Sequence, residues 1–284
     1  MKVVLFCGGL GLRLREHSEA LPKPMVPIGY RPILWHVMRY YAHYGHQDFI
    51  LCLGHGATAI KDYFLHYDEA MSNDFVLSDG GERVELLGTD IQDWRITFVD
   101  TGLNVTIGER LRTVRRFLQD EPVFLANYGD TLTDAPLDRL LADFEAGDAT
   151  ASFLSVRPTG YAFQAVTIGA TGQVTAFTEP SRADLWINGG YFMCRPGLFD
   201  AMRPGEELVE APFARLAAAH RLATVRYDGF WAPVDTLRDV QRLEQLVESG
   251  AAPWMAWTNE SRRPGVVRPA GAAGSRFASV VERG

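Results

Sequence analysis

The chain is poor in cysteine: Cys7, Cys52 and Cys194 are its only three, each inside an apolar run and none in a C-x-x-C spacing. That argues against a disulfide framework and a cysteine zinc site, and predicts three small core residues in a reducing compartment. No apolar run reaches membrane-spanning length, and Met1-Lys2-Val3 runs straight into an apolar stretch, so no signal peptide is expected. A cytoplasmic protein without membrane contact is the expectation. Nor is the chain basic: a net charge of −7 speaks against a nucleic-acid partner held by a general positive field. The seven histidines show no ligand spacing, and no Ser/His/Asp or Cys/His nucleophile set is evident. Two familiar glycine loops are missing as well. A dinucleotide fingerprint needs a third glycine where Leu14 stands, and the Gly-Lys-Ser/Thr of a Walker loop does not occur.

What is present begins at the first strand. Val3–Phe6 reads as a buried strand that runs into Gly8, Gly9 and Gly11, with Arg13 close behind and Lys23 held between Pro22 and Pro24. Glycines let the backbone turn sharply and bring bare N–H groups to an anion. Arg13 adds a planar fork and Lys23 a point charge, which together suit a triphosphate. The competing interpretation is a tight strand-to-helix turn with two solvated cations.

The first half alternates strand and helix. Strands are expected at Phe49–Leu53, Ile96–Val99 and Val123–Ala126. Helices are expected after Arg31-Pro32 (Leu34, Val37, Met38 and Tyr41 forming the apolar face), over Ala57–Tyr67 and Glu109–Leu118, and after Pro136 (Leu137, Leu140, Leu141 and Phe144). This pattern implies an α/β fold: a Rossmann-like, mostly parallel mixed sheet with helices on both faces, its ligands at the carboxyl ends of the strands. The second half carries short strands at Ser152–Val156, Ala165–Ile168, Val174–Phe177 and Tyr191–Cys194, read as a small β-rich substrate lid continuous with the sheet, and a helix through Thr236–Val247. One domain over residues 1–257 is expected, with a first half to about 150 and a second from 151, followed by a mobile tail over 258–284.

Two carboxylates stand at strand ends. Asp130 follows Tyr128-Gly129 after the strand ending at Ala126; Asp235 follows Phe230-Trp231-Ala232-Pro233-Val234. Each suits a divalent cation on nucleotide phosphates, and each also suits a turn or helix cap.

With these pieces in place the chain resembles the sugar-1-phosphate nucleotidylyltransferases, and among them the glucose-1-phosphate cytidylyltransferases. The likeness rests on Gly8-Gly9-x-Gly11-x-Arg13-Leu14, Pro22-Lys23-Pro24-Met25-Val26, Ile33-Leu34-Trp35-His36, Tyr128-Gly129-Asp130, Ile187-Asn188-Gly189-Gly190 and Trp231-x-Pro233-x-Asp235-Thr236, spread from Met1 to about Trp257. It implies transfer of CMP from CTP to a sugar 1-phosphate with release of pyrophosphate, in a homo-oligomer. In that picture Gly8, Gly9, Gly11, Leu12, Arg13, Arg110, Tyr128 and Gly129 face the nucleotide, with Arg13 and Lys23 catalytic. Asp130 and Asp235 hold Mg²⁺, while Gln164, Glu179, Arg182, Asn188 and Gly189 face the sugar. For Arg110 a solvated helix arginine is the alternative, and for Asn188-Gly189 a β-turn.

Three positions depart from the family pattern. Leu12 stands where a threonine is usual, Glu179-Pro180 lacks an intervening lysine that Arg182 is positioned to replace, and Gln164 follows Phe163 where a glycine is usual. All three lie toward the substrate. They imply an acceptor other than plain glucose 1-phosphate, or one held differently. The rival functional interpretations are the same fold using UTP, dTTP, ATP or GTP, and a non-catalytic nucleotide-sugar binding protein.

Overall fold

The computed structural model describes residues 1–9, 21–158, 165–179, 185–259 and 267–269. Its centre is a seven-stranded sheet built from β1 (Lys2–Phe6), β2 (Asp48–Leu53), β3 (Arg95–Asp100), β4 (Phe124–Asn127), β6 (Ala151–Val156), β7 (Ile187–Cys194) and β8 (Leu222–Tyr227). A separate two-stranded ribbon pairs β5 (Thr131–Thr133) with β9 (Trp231–Pro233). The central order is β8-β6-β7-β4-β1-β2-β3, and β7 is antiparallel to both of its neighbours while every other pairing is parallel. This is the mostly parallel mixed sheet that the alternating pattern predicts.

Both faces are covered, which explains why the strands read as unbroken apolar runs rather than alternating ones. Val4 and Phe6 of β1 join a core with Leu111 and Val114 of helix α3 (Ile107–Val114) and Phe213 of helix α5 (Ala211–Ala218). Val3 and Leu5, which point the other way, are equally buried. Helix α1 (Ile33–His43) starts after Pro32 and buries Leu34, Val37, Met38 and Tyr41, the face its spacing predicts. Helix α2 covers Ala57–Leu65. Helix α4 (Leu137–Ala146) follows Pro136 and buries Leu137, Leu140, Leu141 and Phe144. Helix α6 (Leu237–Glu248) opens on a capping box between Thr236 and Asp239. Cys7, Cys52 and Cys194 are buried and free. Among the described residues no helix is long and apolar enough to cross a membrane.

The chain divides into two compact units, residues 1–61 with 94–258 and residues 62–93 with 259–284. In the second unit a hairpin of Phe75–Ser78 and Arg83–Leu86 is joined by Val267–Pro269, antiparallel to the latter. Those three residues fall within the segment expected as a tail; a three-residue pairing is too short to register in composition. The Ala165–Ile168 and Val174–Thr178 strands form their own two-stranded ribbon, not an extension of the central sheet.

The segment after α6 is anchored to α1 by aromatic packing. Trp254 is fully buried, stacks on Phe230 with ring centroids 5.4 Å apart, and donates its indole N–H to His36 Nδ1 at 3.3 Å. His36 Nε2 faces the Ile28 carbonyl at 3.0 Å, so the ring is neutral with its proton on Nε2. Burial pulls its pKa down to about 4. A histidine depressed in the fold favours folding above its unfolded pKa, so this contribution is lost as pH falls from about 6.5 toward 4. The His36 ring resonances in NMR are expected to titrate near pH 4. Trp254→Ala is expected to lower stability by about 3–5 kcal/mol in chemical denaturation and to move that midpoint upward.

Candidate active site

The glycine loop leaves the carboxyl end of β1, at the edge where parallel sheets of this kind bind ligands. Gly8 is buried and Gly9 exposed, whereas the expected Gly11, Leu12 and Arg13 lie outside the described residues, as do Gln164 and Arg182. Lys23 occupies a short 3₁₀ turn, Lys23–Met25, with Pro22 before it and Pro24 inside it. Val26 accepts the Ile33 N–H at 3.0 Å, which ties that turn to the start of α1. The prolines remove backbone freedom on either side of Lys23 and fix where its stem begins.

Asp130 and Asp235 are brought together by the β5–β9 ribbon. Pro233 pairs with Thr131, and the Val234 N–H donates to the Asp130 carbonyl at 3.0 Å, so both carboxylates leave the same end of the ribbon. The ribbon is held from several sides. Tyr191 donates to the Thr131 carbonyl at 2.7 Å, Thr133 to the Phe230 carbonyl at 2.7 Å, and Tyr227 with the Phe230 N–H to Asp134 at 2.5 and 2.8 Å. Gly129, at φ +76°, brings the backbone against β1, and its N–H donates to Asn127 Oδ1 at 2.6 Å. Thr236, not Asp235, caps α6, which leaves the Asp235 carboxylate available to the site.

Lys23 Nζ sits between the two acids, 2.6 Å from Asp130 Oδ2 and 2.5 Å from Asp235 Oδ1. Burial works against the ammonium, but the charges and hydrogen bonds of the two aspartates outweigh it and raise the Lys23 pKa. Burial holds Asp130 above the usual carboxylate range, with Lys23 pulling against it. Two carboxylates thus converge on one point already occupied by a cation. Hard oxygen donors arranged in this way fit a divalent ion that draws its remaining ligands from water and phosphate. Among the described residues there is no cluster of three or more His, Cys, Asp or Glu able to cage a metal alone.

Arg110 does something the sequence did not foretell. It is buried beneath the glycine loop, and Nη1 donates to the Leu53 carbonyl (3.1 Å), Thr101 Oγ1 (2.7 Å) and the Gly102 carbonyl (2.9 Å). Nη2 donates to the carbonyls of Gly8 (3.1 Å) and Leu103 (3.2 Å). One guanidinium therefore joins the carboxyl ends of β1, β2 and β3, and it is neither a solvated helix residue nor turned outward. A Cβ at Gly8 would fall on this guanidinium, so the glycine is required by close approach.

On the sugar side, Asn188 and Gly189 lie inside β7 and form no β-turn. Asn188 Nδ2 donates to the Tyr128 hydroxyl at 2.9 Å, its Oδ1 accepts the Gly190 N–H at 2.9 Å, and the Gly189 carbonyl accepts the Trp231 indole N–H at 2.8 Å. Glu179 is exposed just past the Val174–Thr178 strand.

A nucleotidyl transferase family model matches residues 2–234. The chain belongs to the nucleotidyl transferase family. It is 39% identical to the glucose-1-phosphate cytidylyltransferases of Salmonella typhimurium and Salmonella typhi over 259 residues, 90% of this chain and all of each relative. It also superposes on a UTP-bound UGPase from Acinetobacter baumannii with a TM-score of 0.63 at 16% identity, covering 87% of this chain and 92% of that one. That last likeness concerns the fold. Arg110→Lys, which cannot supply the same fork of donors, is expected to cost at least about 2 kcal/mol in thermal or chemical unfolding. It is also expected to weaken nucleotide binding measured by calorimetry.

Proposed function

We propose that the protein transfers CMP from CTP to a sugar 1-phosphate and releases pyrophosphate. The observation that carries this reading is the convergence of Lys23 on Asp130 and Asp235, near the end of β1 where Gly129 approaches Phe6; the identity to cytidylyltransferases supports the choice of nucleotide. An oxygen of the acceptor phosphate forms a bond to the α-phosphorus while the bond from that phosphorus to the β-phosphate oxygen breaks, and pyrophosphate leaves in line. No protein nucleophile is required, so catalysis consists of positioning and charge stabilisation.

In this reading the N–H groups of Gly8 and Gly9, with Gly11, Leu12 and Arg13, hold the β- and γ-phosphates, Tyr128 and Gly129 border the nucleotide, and Asp130 and Asp235 hold Mg²⁺. The metal would neutralise phosphate charge when bound. Lys23 would place its ammonium at the α-phosphate, where negative charge grows. Arg110 acts behind the site by positioning the loop. Glu179, Asn188 and Gly189, with Gln164 and Arg182, border the acceptor. Three buried thiols suit the reducing cytoplasm, and a homo-oligomer belongs to the same reading.

Incubation with Mg²⁺, CTP and a panel of sugar 1-phosphates, followed by pyrophosphate detection, tests the reaction. CTP is expected to exceed UTP, dTTP, ATP and GTP in kcat/KM, and absence of pyrophosphate with every pair would refute the proposal. Lys23→Ala is expected to lower kcat by roughly 10²–10³-fold.

Lys23→Met gives a readout independent of turnover. Without the ammonium the two carboxylates repel, and the Asp130 pKa rises further. A carboxylate raised in the fold loses stability as pH climbs through its folded pKa. The variant is therefore expected to be about 1–3 kcal/mol less stable than wild type at pH 7, to regain stability toward pH 5, and to gain more Tm from added Mg²⁺ than wild type does. Equal Mg²⁺ effects on both proteins would remove Asp130 and Asp235 as the metal pair.

A further inference from the structure

At the sugar end of the sheet an aromatic ring is flanked by two arginines that no part of the mechanism above uses. The Arg157 guanidinium lies 4.5 Å from the Trp186 ring centroid and that of Arg226 5.3 Å from it. Arg157 Nε also pairs with Asp228 at 2.9 Å. Among the described residues Arg226 has no ion pair, and the buried Trp186 indole N–H has no hydrogen-bond acceptor. A buried indole donor without a partner is uncommon, because it loses water and gains nothing in return. Beside two stacked guanidiniums it completes a set of donors with a positive field, the chemistry that recognises a carboxylate or phosphate.

Strand register places this cluster. Asn188 pairs with Ser155, and Ser155 Oγ lies 2.5 Å from Thr224 Oγ1. Ser155 also pairs with Arg226, so Asn188, Ser155, Thr224 and Arg226 share one face of the sheet; Trp186 and Arg157, one residue beyond the ends of β7 and β6, meet Arg226 there through the ring contacts. Asn188 in turn donates to Tyr128, which follows β4 two residues before Asp130. The cluster spans the ends of β7, β6 and β8, which are one, two and three strands from β4. At the usual spacing this is roughly 5–15 Å across the sheet, a span bridged by a pyranose whose phosphate lies near Asp130.

We infer that Trp186, Arg157 and Arg226 form a subsite that reads a second negative group on the acceptor, on the side of the sugar away from the reacting phosphate. The inference rests on the proposed cytidylyl transfer. It gives a physical form to the altered sugar wall seen in the sequence, since a site adapted to an acidic sugar need not match the pattern for glucose 1-phosphate.

The test compares three acceptors with CTP and Mg²⁺: glucose 1-phosphate, glucuronic acid 1-phosphate and glucose 1,6-bisphosphate. The carboxylate or the second phosphate is expected to raise kcat/KM over glucose 1-phosphate by about tenfold or more, and whichever of the two does so identifies the group. That ratio is expected to collapse toward one in Arg226→Ala and in Trp186→Phe, which keeps a ring but removes the N–H, with Arg226→Lys intermediate. A wild-type ratio near one, or a ratio unchanged in the variants, overturns the subsite and leaves cytidylyl transfer standing. No pyrophosphate from any acceptor overturns both.

Discussion

The candidate active site depends on one ammonium group placed between two carboxylates. Lys23, Asp130 and Asp235 come from three distant parts of the chain, and each would be an unfavourable partly buried charge alone. Together they leave one net negative charge, and they define the point where the ribbon of β5 and β9 and the Pro22-Lys23-Pro24 turn must meet. The ribbon's hydrogen bonds to Tyr191, Tyr227 and Asp134 fix the carboxylates on one side, while the prolines fix the lysine on the other. The ammonium offsets one of the two carboxylate charges, and in the proposed function a divalent ion would take its place.

Much of the fold was legible because it is written in periodicity. Helices α1 and α4 bury the residues that helical spacing selects, and β1, β2 and β4 are continuous apolar runs because both faces of a parallel sheet are covered. Strand β8 and helix α5 were not foreseen. Leu222–Tyr227 edges the sheet and is half exposed, so its pattern is diluted, and α5 is only eight residues long with Pro212 in its first turn. The Val267–Pro269 pairing was hidden by its brevity.

The site divides in the same way. Lys23, Asp130 and Asp235 stood out because a charged residue at the end of an apolar strand or between prolines is conspicuous. Their mutual contact was not readable, since no local rule links residues 23, 130 and 235. Arg110 was expected to face a nucleotide because the family resemblance implies it. Its actual partners are mostly main-chain carbonyls, and carbonyls leave no trace in sequence. The Trp186 cluster was missed for a related reason: Arg157, Trp186 and Arg226 become neighbours only through the register of β6, β7 and β8.

The Arg110 guanidinium also makes the three strand-end loops a single mechanical unit. Because the same group accepts no substitute geometry for its bonds to Gly8, Leu53 and Gly102, displacement of any one loop strains the hold on the others. Order gained at Gly8 is then shared with the loops after β2 and β3. A change at Thr101 would be felt at Gly8 through the one cation that they both help to seat.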